Sequence, residues 1–312
     1  MKKIVFVIGT LGNGGAERVI STLANNFSEK GYEVSIITIY GNKQDYPIKD
    51  KIDLFSIYCS NKVRLFRPIE RIRKIKKLVM DINPDVIVSF LADVNIHAIV
   101  ACSNLNYPII VSERNDPRRN PEQKWIRKLR DIVYKKVSGI VFQTQDAKEY
   151  FKDVLPATIK TALISNPIPD CLPVNNCIEN NRLIAACRLN PQKNLSLMIR
   201  AVADVISSGI NCTLDIYGEG PLRKQLQEEI IELGLENNVF LRGFYKDIHR
   251  KIAESTAFII SSDYEGISNS MLEALAIGTP VIATDCPVGG ARQFIESGKN
   301  GILVPVGNKD EL

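Results

Sequence analysis

Short runs of aliphatic and β-branched residues alternate along the chain with longer segments of mixed polar and apolar spacing. The first runs fall at 4–9, 33–40, 52–57, 85–90, 108–113, 139–143 and 161–165. Several are apolar on both faces, as a strand buried in a parallel sheet requires. Helical patterns such as 16–30 and 125–136 lie between them. Residues 166–181 are rich in proline and have little periodicity, so 167–181 reads as a linker. The alternation then restarts, with runs at 182–187, 212–217, 239–241, 257–261, 280–283 and 301–304. Helices are expected near 195–207, 221–234, 246–255 and 268–277. Repeated βα units on both sides of the linker predict an α/β protein with two doubly wound domains, 1–166 and 182–312. Ligands of such sheets bind outside the strand carboxyl ends, so the expected site is a central cleft between the domains.

Composition narrows the class. The chain has 312 residues, 45% hydrophobic and 24% charged, which excludes disorder, collagen and coiled coil as global descriptions. No apolar run approaches the ~20 residues needed to span a bilayer. Met1-Lys2-Lys3 is followed by only five apolar residues before glycine, which reads as a first strand rather than a signal peptide. The seven cysteines (59, 102, 171, 177, 187, 212 and 286) form no C-x-x-C pair. A disulfide framework or zinc site is disfavoured, and a reducing cytoplasm fits. His97 and His249 are too few and too scattered for a metal site. His97 has apolar neighbours on an expected helix and reads as structural.

The candidate chemistry sits in the loops after strands. The first strand runs into Gly9-Thr10-Leu11-Gly12-Asn13-Gly14-Gly15-Ala16-Glu17-Arg18. Glycines between a strand and a helix let backbone N–H groups approach phosphate, although a tight turn explains them equally well. A dinucleotide fingerprint needs a third glycine where Glu17 stands, and no acid closes the second strand, so a nicotinamide enzyme is disfavoured. In the second half, Arg188-Leu189-Asn190-Pro191-Gln192-Lys193-Asn194 places two cations five residues apart at a strand end. Arginine offers a hydrogen-bonding fork to phosphate and lysine a point charge. Tyr217-Gly218-Glu219-Gly220-Pro221 ends the next strand. The segment from Ser261 to Pro280 holds Glu265 and Glu273, seven residues intervening. Taken alone, that pair reads as one carboxylate in a helical first turn and one solvated glutamate.

With these residues in order, the sequence resembles the retaining glycosyltransferases of family 4, which have the GT-B architecture. The Gly-Gly-Ala-Glu-Arg opening, the Arg-Leu-x-x-x-Lys-Asn turn, the Gly-x-Gly-Pro turn and the E-x7-E block fall in the family's order. Gly278-Thr279-Pro280-Val281-Ile282-Ala283 and Gly301-Ile302-Leu303-Val304 match as well. The resemblance covers nearly the whole chain. It implies two Rossmann-like domains, the first binding acceptor and the second a nucleotide diphosphate sugar, UDP-linked by expectation. Arg188 and Lys193 would stabilise the charge that develops on the leaving diphosphate. Gly14 and Gly15 would face the phosphates from the other domain, with Gly218, Gly266, Ile267 and Asn269 lining the donor site. Ser268 would cap the helix whose free N–H groups point at the same charge. Glu265 would contact donor-sugar hydroxyls, and Glu273 the ribose. Eight residues at about 1.5 Å each span about 12 Å along a helix, which suits two ends of one elongated donor. It does not suit the facing carboxylates of a glycosidase.

The resemblance has one departure and three further implications. Many relatives carry a histidine where this chain reads Ser112-Glu113-Arg114. Glu113 would then contact donor sugar or acceptor and Arg114 a phosphate, the alternative being a strand-end ion pair. Asp263-Tyr264-Glu265 has the outline of a D-x-D metal motif but reads as a strand end running into the first glutamate. No cofactor or metal is expected. The family usually continues with helices that cross back to the first domain, and 308–312 reads as the start of such a helix.

Charge sharpens the acceptor. Residues 1–166 carry a net +10 and residues 167–312 a net −5. Residues 62–77 hold eight Lys/Arg against Glu70, with Ile69, Ile72, Ile75 and Val79 at helical spacing. Residues 114–136 add nine Lys/Arg against three acids, with Trp125 as an interfacial anchor. The apolar stripe is expected to pack on the sheet while the charge meets anionic headgroups. Nucleic acid is disfavoured because no aromatic platforms interleave the charge. The reading is a transferase on the cytoplasmic membrane face acting on a glycan or lipid-diphosphate-linked acceptor. A nucleotide-sugar epimerase or hydrolase would use the same cleft. An inactive membrane scaffold is the reading from another class, against which the retained Arg188, Lys193, Glu265 and Glu273 weigh.

Overall fold

The computed structural model describes residues 1–12, 14–61, 63–176 and 180–312. Asn13 of the glycine-rich loop, Lys62 of the basic run and Cys177 of the cysteine set lie outside the described residues. The chain divides into two compact units, Met1–Ser165 and Asn166–Leu312. The first contains β1 (Lys3–Ile8), α1 (Gly15–Glu29), β2 (Glu33–Thr38), β3 (Asp53–Ser56), α2 (Arg67–Ile82), β4 (Val86–Phe90), α3 (Ala92–Cys102), β5 (Ile109–Glu113), α4 (Lys124–Val133), β6 (Gly139–Phe142), α5 (Gln145–Tyr150) and β7 (Lys160–Leu163). The second contains β8 (Arg182–Ala186), α6 (Leu195–Ser207), β9 (Thr213–Tyr217), α7 (Arg223–Glu232), β10 (Val239–Gly243), α8 (Ile248–Ala253), β11 (Ala257–Ile260), α9 (Asn269–Ile277), β12 (Val281–Thr284) and β13 (Gly301–Val304).

The sheet orders are β3-β2-β1-β4-β5-β6-β7 and β10-β9-β8-β11-β12-β13. All pairings between these strands are parallel. Each order runs outward in both directions from the unit's first strand, the doubly wound pattern. Its switch points lie between β1 and β4 and between β8 and β11, so the loops after those strands are where a ligand is expected.

The cores explain the runs. Val5–Ile8 of β1 are at most 1% exposed because both faces of the strand are covered. On one face α1 sets Ala16, Val19, Ile20 and Ala24 against Ile4, Phe6 and Ile36. In the second unit successive residues of one strand serve opposite cores. Ile184 and Phe258 pack with Ile252, Met271 and Ile277 from α8 and α9. Ala185 and Ile259 pack with Leu195, Met198, Ile199 and Val202 from α6. Each fully buried aliphatic side chain contributes about 1.5–3 kcal/mol.

Three segments differ from the pattern. In the predicted linker, Asn175 is buried. Its N–H donates to the Ile277 carbonyl at 2.8 Å and its Nδ2 to Ser255 O and Thr279 Oγ1 at 2.9 Å. That stretch is therefore tied to the second unit. On α2 the predicted stripe is only half covered: Ile75 and Val79 are buried, whereas Ile69 is exposed. On α4 the pattern is inverted. Trp125, Leu129 and Ile132 share an exposed face, and Arg130 is 0% exposed.

Candidate functional site

The loops after β8 and β11 are zippered together. Asp263 N–H donates to the Gln192 carbonyl at 2.9 Å, and Gln192 Nε2 donates to the Tyr264 carbonyl at 2.7 Å. Asn194, in the left-handed region at φ 43°, donates from Nδ2 to Asp263 Oδ1 at 2.8 Å. Ser261 Oγ donates to the carbonyls of Lys193 and Asn194 at 2.8 and 3.0 Å. These bonds fix the one-turn helix Pro191–Lys193 against the loop that carries Glu265. The Lys193 ammonium and the Glu265 carboxylate meet there in direct contact. Ser262 Oγ adds a bond to Glu265 Oε2 at 3.1 Å. Burial works against the Lys193 charge, but Glu265 outweighs it and holds its pKa above the ordinary value. The two side chains keep 15% and 19% of their exposure, so the pair is not sealed from solvent.

The surrounding backbone approaches too closely for side chains. A Cβ at Gly218, whose φ is +132°, would lie 1.9 Å from the Cys187 carbonyl oxygen. At Gly220 it would lie 2.3 Å from the Leu189 oxygen. The N–H of Leu189 donates to the Glu219 carbonyl at 3.0 Å, and that of Leu222 to Leu189 O at 3.1 Å. The Gly-x-Gly turn is thus stacked, main chain on main chain, against the loop that carries Arg188. Arg188 itself is exposed just beyond β8. Gly266 is buried, and a Cβ at Gly290 would lie 1.8 Å from its carbonyl oxygen.

Ser268 is the N-cap of α9, its Oγ accepting from Met271 N–H at 3.4 Å. Ser270 Oγ donates to the Ala186 carbonyl at 2.9 Å, which pins the helix start to the end of β8. Ile267 is buried and Asn269 opens α9. A small cavity at these strand ends is lined by Lys193, Ser262, Ser268 and Ser270 among others. The helix start thereby sets its positive end at the cavity lined by Lys193. Glu273 lies one turn further along α9, 2% exposed, and accepts from His249 Nε2 of α8 at 3.0 Å.

In the first unit, Gly14 is the buried N-cap of α1, its N–H donating to Gly12 O at 2.7 Å, and Gly15 is the exposed first helical residue. Glu113 ends β5 at 4% exposure. Its Oε1 accepts from Tyr134 Oη at 3.1 Å and its Oε2 lies 3.5 Å from Arg130 Nη1. Burial pushes its pKa up to about 7 despite both partners. Arg130 also donates to the carbonyls of Pro117 and Asn120 at 2.9 and 2.8 Å and forks onto Asp131. Burial opposes its charge, yet Glu113 and Asp131 keep its pKa raised. The guanidinium of Arg114 lies 4.6 Å above the Phe90 ring, and burial lowers its pKa to about 10 against the pull of Glu17. His97 bonds the Asp93 carbonyl of its own helix at 2.7 Å.

The sequence-named residues of the second unit therefore converge at one switch point, and Glu113 with Arg114 stand at a strand end of the first. Sequence reasoning missed Gln192, Asn194, Ser261 and Asp263, which join the two loops, and His249 against Glu273. The first four lie inside the segments Arg188–Asn194 and Ser261–Pro280, where the motifs give them no role. His249 lies between motifs, and no spacing rule links it to Glu273. Asp263 has its Oδ1 engaged by Asn194.

Residues 13–170 match the family model for glycosyltransferase family 4, and residues 180–312 the model for glycosyl transferases group 1. Over 288 residues the chain is 31% identical to an uncharacterized glycosyltransferase of Methanocaldococcus jannaschii, covering 84% of this chain and 71% of that protein. Over 320 residues it is 28% identical to the GalNAc-alpha-(1->4)-GalNAc-alpha-(1->3)-diNAcBac-PP-undecaprenol alpha-1,4-N-acetyl-D-galactosaminyltransferase of Campylobacter jejuni, covering 100% and 86%. Among solved structures, HepE of Anabaena in complex with UDP-glucose superposes with a TM-score of 0.80 at 19% identity, covering 100% of this chain and 87% of that one. That last likeness is one of fold.

Proposed function

The chain belongs to glycosyltransferase family 4 with the GT-B fold, and from that premise we propose that it moves a sugar from a nucleotide diphosphate sugar, UDP-linked, to a lipid-diphosphate-linked glycan with retention of configuration. The observation that carries this reading is the Lys193–Glu265 contact at the switch point of the second sheet, beside the Ser268-capped helix start. In this reading the donor diphosphate takes over the Lys193 ammonium, and Arg188 adds a fork from the same loop. Glu265, released from lysine, accepts from hydroxyls of the transferred sugar. Negative charge grows on the diphosphate as the bond to the sugar breaks. Cations and N–H groups already aimed at that charge stabilise the transition state more than the ground state. A diphosphate is a good leaving group and requires no acid. Glu273 takes the ribose, and Glu113 acts by shaping the loop that leads to Arg114.

We assign the acceptor side to the basic first unit. The exposed stripe Trp125, Leu129 and Ile132 on α4 is flanked by Lys124, Lys128, Lys135 and Lys136, the pattern of a helix lying on an anionic bilayer surface. Among the described residues no helix is long and apolar enough to cross a membrane. The Campylobacter relative, named for its diphospho-undecaprenol-linked substrate, supports the same acceptor class.

The test is a donor screen by mass spectrometry with membrane lipid extract as acceptor, in excess chelator. Glycosylated lipid with an axial anomeric bond from an α-linked donor is expected, at a rate the chelator leaves unchanged. Nucleotide release without a glycosylated product points instead to a hydrolase or epimerase. Loss of activity with chelator overturns metal independence.

A further inference from the structure

Glu273 is an acid on an apolar helix. Its neighbours Met271, Leu272 and Ala274 all belong to the core between α8, α9 and the sheet. A carboxylate 2% exposed in that setting needs hydrogen-bond donors to be tolerated at all. One of them is His249. Its Nε2 lies 3.0 Å from Glu273 Oε2, across the boundary between two packed helices. A carboxylate oxygen only accepts, so Nε2 carries the hydrogen in this contact. The imidazole is a quarter exposed while the carboxylate it holds is buried, so the ring sits at the rim and points its donor inward. Tyr217 belongs to the same core and tilts against Tyr245, with ring centroids 5.7 Å apart, at the end of β9 where the Gly218 turn begins.

We propose that His249 is a positioning residue of the nucleoside subsite: it locks the Glu273 carboxylate in the one orientation from which it accepts from a ribose diol. The inference rests on the ribose role given to Glu273 above. A free glutamate rotates about its terminal torsion and must be ordered when ligand arrives. One already fixed by a donor from a neighbouring helix presents its lone pairs in place. His249 touches neither sugar nor phosphate; it acts only through Glu273.

The test measures discrimination rather than affinity alone. UDP, GDP and ADP, with their 2′,3′-dideoxy forms, are titrated calorimetrically against the wild type, His249→Ala and His249→Gln. In the wild type the dideoxy form of the preferred nucleotide binds about tenfold or more weakly, the worth of one to two hydrogen bonds to a charged acceptor. In His249→Ala that ratio falls to about two or three. In His249→Gln, whose amide nitrogen reaches the place of Nε2, it returns. The donor KM rises several-fold in His249→Ala while kcat holds. A His249→Ala protein that melts normally yet keeps the wild-type ratio overturns the proposal, as does a loss that glutamine does not restore. A wild type that binds none of the three nucleotides overturns the functional reading itself, a result distinct from either.

Discussion

The first unit holds Arg130 against Glu113, and the second holds Lys193 against Glu265. Both are acid–base pairs at the carboxyl edge of a parallel sheet, yet their surroundings differ. Arg130 and Glu113 are 0% and 4% exposed, and the guanidinium is saturated by Asp131 and the carbonyls of Pro117 and Asn120. Lys193 and Glu265 retain 15% and 19%, and the lysine is satisfied chiefly by its glutamate. A guanidinium with five donors suits a closed socket, whereas an ammonium on a flexible stem can change partner. The difference separates a closed pair that ties a loop together from a half-open pair that, in the proposed reading, gives up its lysine to the donor diphosphate.

Four experiments test that contrast. The largest effect is expected at the closed pair. Arg130→Ala leaves Glu113 buried without its cation and should cost about 3–5 kcal/mol of unfolding free energy, read by urea denaturation. Next, Lys193→Ala should leave the melting curve nearly unchanged but lower kcat about 10²–10³-fold, in line with the loss of one oxyanion donor, and Glu265→Ala, which removes the acceptor for sugar hydroxyls, should lower kcat with as little effect on melting. If Lys193→Ala instead unfolds the protein and keeps its rate, the contrast is lost. Third comes pH. Glu113 has its folded pKa raised from 4.5 to about 7, so its contribution is complete below pH 4.5 and is lost as pH rises through 7. The wild type should lose about 3 kcal/mol on this account between pH 4.5 and 8, and Glu113→Gln, which cannot ionise, should flatten that slope. The smallest effect is expected on the surface: Trp125→Ala should weaken sedimentation with anionic vesicles at low salt by about tenfold or less. No lipid dependence in the wild type sinks the membrane assignment.

Much of this was legible in the residues. Every run read as a strand became one. In β1 the cause is cover on both faces, which leaves no polar register, whereas β7 is exposed at all four residues. Arg188 and Lys193 stood out as two cations in a loop after a strand, whereas Glu265 and Glu273 took roles only from the family resemblance, Glu273 lying inside α9. Long-range bonds were not legible. Nothing in the order of residues says that Asn194 answers Asp263, 69 positions on, or that His249 answers Glu273. On α4 the sequence named Trp125 as an interfacial anchor but did not show that Leu129 and Ile132 share its exposed face. The socket formed by Glu113, Asp131, Tyr134 and Tyr150 drew Arg130 inward. Periodicity reports which residues share a face, not which face the tertiary structure chooses.

The glycine contacts have a consequence for engineering. At Gly218, Gly220 and Gly290 one stretch of main chain rests on another with no side chain between. A frame set by backbone alone is indifferent to the side chains hung on it. In a saturation library these three positions should stand as blank columns, while neighbours such as Glu219 accept broad replacement. A designer can therefore randomise the side chains around these turns without shifting the frame that carries them.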